Sequence, residues 1–357
     1  MDHDLVDPIE EIIGKNELIM DKLRGCGKIH SFPAEAFTQV EESRAYVRKG
    51  RKATPLEVCY PPHIIVDSPR RFAIFSDEFI LVPPRQIGIA GKASQTDMLK
   101  ALCLYLKSDF VAYHQYLSSA LWGIERDRLN VDDLNRLPIP LGNLSTDELS
   151  EWVRLYNDLV ETSSNIRQDS AGPLFDDSQE DDNVKLLLNQ VNKAVYDLLG
   201  ITKSEQYLIH DLLQTRMQLN EGAIAREAVK LSSKSEITTY AAIMKSELDG
   251  FLNQADSHLI KVYYSDDSAI IKILHVSTPR AGPPEVIKVD AQTQAEFAKL
   301  ARQLPREQGQ WIYFNRGLRF FEGRTTYIFK PRERLCWLKS QALVDADEFI
   351  ADKLTAL

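Results

Sequence analysis

Arg44, Arg48, Lys49, Arg51 and Lys52 crowd around Gly50. Flexible cations on a loop suit phosphate contacts, which supply affinity without sequence information. Arg70, Arg71, Arg85 and Lys92 stand at the ends of expected strands or in loops, and from such places an arginine can meet guanine O6 and N7 bidentately. Arg126 and Arg128 follow Trp122-Gly123, where they can bind an anion or pair with Glu125, Asp127, Asp132 or Asp133. A second basic set, Arg316, Arg319, Arg324, Lys330, Arg332 and Arg334, is interleaved with aromatic residues between Trp311 and Trp337. That pattern suits base stacking with phosphate neutralisation, or contact with a partner. It suits equally a half-buried sheet with aromatics inward and arginines outward. Each cation also has a plain reading as solvated surface charge.

Nucleophilic and metal chemistry find no matching arrangement. The 7 histidines form no HExxH or paired metal motif, and no G-x-S-x-G elbow occurs. Cys26, Cys59, Cys103 and Cys336 are scattered without a CxxC pair, which disfavours zinc and a disulfide framework and fits a reducing, cytoplasmic setting. Gly25-Cys26-Gly27-Lys28 lacks the lysine and hydroxyl placement of a phosphate loop. Asp77 and Glu78 offer acids for a metal-dependent nuclease only if a distant segment completes the set.

The totals frame these candidates. With 357 residues, 44% hydrophobic and 27% charged, the chain suits a globular protein of two or three domains. No apolar run approaches the length of a membrane span, and Asp2, Asp4 and Asp7 give the first residues the wrong charge for a leader. A net charge of −9 lowers the expectation of nucleic-acid binding without excluding it, because binding depends on local patches. Part of the acid sits in one expected linker, at Asp176, Asp177, Glu180, Asp181 and Asp182.

The elements that must position the cations follow from periodicity and punctuation. Residues 1–24 read as one or two helices broken at Gly14, and 58–66 and 71–82 as strands around an Asp67-Ser68-Pro69 turn. A short strand is expected near 87–92. Leu102, Tyr105, Leu106, Phe110, Tyr113, Tyr116 and Leu117 recur at three- and four-residue steps, as one apolar helix face that Ser118-Ser119 loosens. Asn130 reads as the N-cap of a short helix over 131–136, with Asp132 and Asp133 in its first turn, ended by Pro138 and Pro140. Ser145 and Glu148 form a capping box for a helix over 144–166. An acidic linker over 168–183 precedes helices at 184–199, closed by Gly200, and from Thr202 or Ser204 to about 219. Past a composition shift at 222–235 come a helix at 237–252, a hairpin over 259–276, a strand at 285–289 and a helix at 291–303. Strands at 311–314, 318–321 and 326–329 and a helix at 345–354 complete the chain.

Within 102–140 the order L-S-S-A, then L-W-G-I-E-R-D-R-L, then D-D-L-N-R-L-P-I-P resembles the target-recognition region of bacterial N6-adenine DNA methyltransferases. These are the restriction–modification enzymes that carry methylase and specificity on one chain, with their relatives. The run K-A-V-Y-D-L-L-G-I-T-K-S-E-Q-Y-L-I-H-D-L-L resembles their helical spacer, and F-N-R-G-L-R-F-F-E-G their C-terminal tails. The resemblance implies a DNA target-recognition domain over 1–143, a helical spacer over 144–222 that docks on a methylase, and an accessory domain over 236–357. It implies double-stranded DNA as a partner, held by the first set of cations. The family's Asn/Asp-Pro-Pro-aromatic motif has no counterpart, since Tyr60-Pro61-Pro62-His63 lacks both the amide or carboxylate before the prolines and the aromatic after them. Catalysis and S-adenosylmethionine therefore fall to a methyltransferase domain or subunit beyond this chain.

The expected fold is α+β: a mixed strand/helix recognition domain, a helical spacer, and a C-terminal α+β domain with an antiparallel meander. Two other readings stay open, a protein-interaction subunit whose basic patches meet an acidic partner and a metal-dependent nuclease.

Overall fold

The structure, a computed structural model, describes residues 10–23, 28–42, 55–68, 72–83, 86–119, 130–169, 182–217, 228–266, 268–290 and 318–355. It divides into two units, Met1–Ile201 and Thr202–Leu357, each a mixture of helices and small sheets.

The first unit holds two three-stranded sheets. Strand β1 (Asn16–Leu18) pairs antiparallel with β2 (Phe37–Gln39). Strand β3 (His63–Val66) pairs antiparallel with β4 (Ala73–Ser76). Next, β5 (Ile80–Leu81) returns in parallel beside β1, and β6 (Ile87–Ala90) runs antiparallel along the free side of β3. In place of the helix expected in the first residues, the described part has β1 between two 3-10 turns, Glu10–Ile12 and Met20–Leu23. Gly14 takes a φ of 74° after a single 3-10 turn, and that left-handed residue sends the chain out extended. Leu18, Leu23, Ile65, Phe72, Ile74 and Ile80 share one core. Phe32 meets Phe37 and Phe72 edge-on there, with ring centres 5.6 and 5.2 Å apart.

Helix α1 (Thr96–Lys107) buries Leu99, Cys103, Leu104 and Leu106, and the Cys103 thiol donates to the Ala73 carbonyl at 3.0 Å. The expected single helix is in fact two, because Ser108 leaves helical geometry and caps α2 (Asp109–Ser118), its Oγ accepting from the Val111 N–H. The short α3 (Val131–Asn135) precedes α4 (Thr146–Asp169), which is paired with α5 (Asp182–Leu199) and lies on α1. Asp109 N–H donates to Asn192 Oδ1 at 2.8 Å and Asn192 Nδ2 to Asp109 Oδ2 at 3.0 Å, which ties α2 to α5. The helices expected as a spacer are thus divided, α4 and α5 going with the first unit and the next helix with the second.

That next helix, α6 (Lys203–Asp211), runs into a π-helical turn, Leu212–Arg216. After α7 (Lys234–Gly250), the hairpin of β7 (Ser257–Tyr264) and β8 (Ser268–Val276) is followed by β9 (Glu285–Lys288). A second hairpin, β10 (Leu318–Glu322) and β11 (Thr325–Pro331), turns at Gly323 and precedes α8 (Lys339–Thr355). The five-stranded order is β10-β11-β8-β7-β9. Of the expected antiparallel meander, 318–321 and 326–329 fall in β10 and β11, which pair antiparallel, while β9 runs parallel to β7 and makes the described sheet as a whole mixed. Tyr240, Met244 and Leu248 of α7, and Ala342, Ala346 and Phe349 of α8, pack on Ile260, Val262, Ile271, Ile273 and Ile328. The expected helix at 291–303 and strand at 311–314 lie outside the described residues. Among the described residues, no helix is long and apolar enough to cross a membrane, and Cys59, Cys103 and Cys336 are buried and in no disulfide.

Candidate nucleic-acid interface

The run from α2 to α4 is fixed at its base by polar contacts. Asp133 is buried, and its Oδ2 accepts Ser119 Oγ at 3.2 Å and the Asn130 N–H at 3.1 Å. Asn130 Oδ1 in turn accepts the Asp133 N–H at 2.9 Å, completing a reciprocal cap on α3. Ser119 and Asn130 bracket segment 120–129, so one carboxylate oxygen joins the two ends of the stretch that carries Arg126 and Arg128 in the sequence. A hydrogen bond of this kind contributes about 0.5–1.5 kcal/mol net. Further along, the Tyr105 hydroxyl donates to the Pro138 carbonyl, and burial pushes that hydroxyl's pKa up. Leu134, Leu137 and Leu141 bury the exit from α3. Asn130 was legible as a cap from the sequence. Asp133 was legible only as a first-turn acid, because its bond to Ser119 joins residues on either side of the intervening segment.

Of the first set of cations, Lys92 lies among the described residues, exposed, with its N–H donating to Gln95 Oε1 at 2.9 Å. Arg44, Arg48, Lys49, Arg51, Lys52, Arg70, Arg71, Arg85, Arg126 and Arg128 lie outside the described residues, as do Trp122 and Arg316.

The second basic set does not form one surface. Lys330 is 3% exposed and Arg332 6%, so neither is available to nucleic acid or a partner. Lys330 Nζ donates to Asp345 and to the Tyr240 hydroxyl (3.0 Å), and lies 5.4 Å from the centre of the Trp337 ring. Burial pulls its pKa below the usual lysine range, against the pull of Asp345. The Arg332 guanidinium donates to the Ser232 and Ser265 carbonyls and stacks 4.7 Å from the centre of Tyr264. Arg319 is drawn to Glu348 and Asp352 of α8, and Arg334 meets Glu236 at 2.6 Å. Arg324, at the β10–β11 turn, is exposed. Register explains the correction: Thr326, Ile328 and Lys330 face the helices, so alternation carries Tyr327 and Phe329 to the other face.

Other polar clusters are structural in geometry. Asp211 Oδ2 accepts the Ser340 N–H at 2.7 Å and Asp211 Oδ1 lies 3.2 Å from His210 Nδ1. The carboxylate stands between histidine and serine, so it holds the start of α8 and does not orient a base toward a nucleophile. The Asp249 carboxylate receives both the His258 N–H (2.7 Å) and Lys245, and His258 Nδ1 lies 3.2 Å from it. Among the described residues no group of three or more His, Cys, Asp and Glu side chains is placed to hold a metal ion. No family model, curated protein or solved structure matches the chain.

Proposed function

We propose that the chain is the sequence-specific DNA-binding portion of an N6-adenine DNA methyltransferase or restriction–modification system, acting without a catalytic site of its own. The Ser119–Asp133 hydrogen bond carries this reading, because it gives the segment with Arg126 and Arg128 a buried, fixed base in the very stretch that resembles the recognition region. A rigid support beneath a short reading segment is what base recognition needs, since a few side chains must meet base edges in one register.

In this reading Arg44, Arg48, Lys49, Arg51 and Lys52 grip phosphates, while Arg70, Arg71, Arg85, Lys92, Arg126 and Arg128 are the candidates for base contact. The sheets with α1–α3 are the recognition domain, α4 and α5 dock on the methyltransferase domain or subunit, and the second unit is accessory. S-adenosylmethionine and extrusion of the adenine belong to that partner. Titration of the full chain with duplex DNA across a salt series tests the reading. The expected result is a steep linear fall of log K with log salt, and a weak, flat response sinks it.

A second reading, an interaction subunit whose basic patches meet an acidic partner with no DNA role, rests on the same first set of cations. Charge reversal at Arg48, Lys49, Arg51 and Lys52 separates the two. Uniform loss of affinity for all duplexes follows from the DNA reading alone.

A further inference from the structure

The last turn of α2 faces the wrong way for its own side chains. Gln115 is 0% exposed, and among the described residues neither Nε2 nor Oε1 of its carboxamide meets a hydrogen-bond partner. Leu117, in the same turn, is 63% exposed. Residues two apart on a helix lie roughly 200° around its axis, so burying one side chain turns the other out. An amide stripped of water without a partner and a leucine left in water are each unfavourable, and a single turn accepts both.

The observed arrangement is held from two sides. Phe110 and Val111 are buried in the first turns, and Ser119 bonds back through its N–H to the Gln115 carbonyl at 2.9 Å. Ser119 Oγ is also the group that reaches Asp133, so the turn that misplaces Gln115 and Leu117 is the one that anchors segment 120–129.

We propose that residues 115–118 form a two-state turn: the described state keeps Gln115 in and Leu117 out, and engagement of duplex DNA favours a state in which they exchange while Ser119 stays on Asp133. The trigger rests on the DNA reading above. A ligand moves such an equilibrium only by its differential affinity for the two states, and an outward carboxamide supplies that difference. Its donor and acceptor match the paired donor and acceptor of a base edge. Leu117, now buried, adds to the stability of the engaged state.

The test uses the full chain with Gln115→Met, Leu117→Gln and a single added cysteine, Leu117→Cys. Gln115→Met is expected to raise the thermal midpoint by several degrees and weaken duplex binding about tenfold. Leu117→Gln is expected to leave the midpoint where it is and weaken binding to a similar extent. Thiol labelling of Leu117→Cys, read against the wild-type chain, is expected to slow when duplex is added. A lowered midpoint in Gln115→Met, or a position 117 that labels as fast in the complex as in the free chain, overturns the exchange. If the wild type binds no duplex, the functional reading fails and the DNA trigger with it.

Discussion

Lys330 and Asp345 form an ion pair inside the second unit, and the Tyr240 hydroxyl donates to the same carboxylate oxygen that the lysine reaches. Gln341 Nε2 donates to the other oxygen at 3.0 Å, so both carboxylate oxygens are occupied. Removing one charge leaves the other buried and alone. Lys330→Met or Asp345→Leu is therefore expected to cost about 3–5 kcal/mol in chemical denaturation, and the double variant much less than the sum. Additive losses would mean that the two charges do not support one another.

Asp133 is the joint beneath segment 120–129. Asp133→Ala removes the bonds from the Asn130 N–H and from Ser119 together, leaves Asn130 Oδ1 on the backbone N–H of position 133, and is expected to cost about 1–2 kcal/mol. Ser119→Ala, which spares the cap, is expected to cost less. Equal costs measured by denaturation would remove the distinction.

The start of β7 is expected to weaken in acid. Burial holds the His258 pKa below its ordinary value of 6.5, with Asp249 opposing and His275 and Lys353 adding to the depression. Lys245 and Asp249 of α7, His275 of β8 with Asp256, and Lys353 of α8 are the charged groups around it. The unfolded chain protonates first as pH falls, so stability holds above about 6.5 and declines from there through the lower folded pKa. His258→Asn removes the titration and keeps a polar side chain. Its denaturation midpoint should change less between pH 7.5 and 5.5, with pH roughly bracketing the ordinary histidine range, and an unchanged slope would place the sensitivity elsewhere.

Asp211 behaves in the opposite ionic sense. Burial alone would raise its pKa, but hydrogen bonds from His210 and Ser340 outweigh that and hold it below the ordinary 3.8. Its stabilisation of α8 is present above that ordinary value and is lost as pH falls through the depressed one. Asp211→Ala is expected to cost about 1 kcal/mol at neutral pH, and no cost would show that the α8 start needs no cap.

What was readable in the sequence was local. Asn130, Ser145 with Glu148 and Gly200 announced their helix ends because cap and capped group lie within one turn. The periodicity across Leu102–Leu117 misled for a physical reason. Ser108 ends one helix and caps another, which resets the phase and leaves Leu117 outside and Gln115 inside. The basic and aromatic alternation of 318–334 was equally ambiguous alone, because acids on α8, such as Glu348, Asp352 and Asp345, draw Arg319 and Lys330 inward. Alternation reports that there are two faces and leaves open which one the helices will cover.

The parallel alignment of β1 with β5 imposes an order of events on biosynthesis. As the chain emerges from the ribosome, Asn16–Leu18 appears early, yet its second neighbour arrives only with Ile80–Leu81. Until then β1 presents an unpaired edge, and closure of this small sheet waits for a contact of long sequence separation. A break in the backbone between β1 and β2 would thus remove the middle strand from its covalent place, and the damage would reach both neighbours at once.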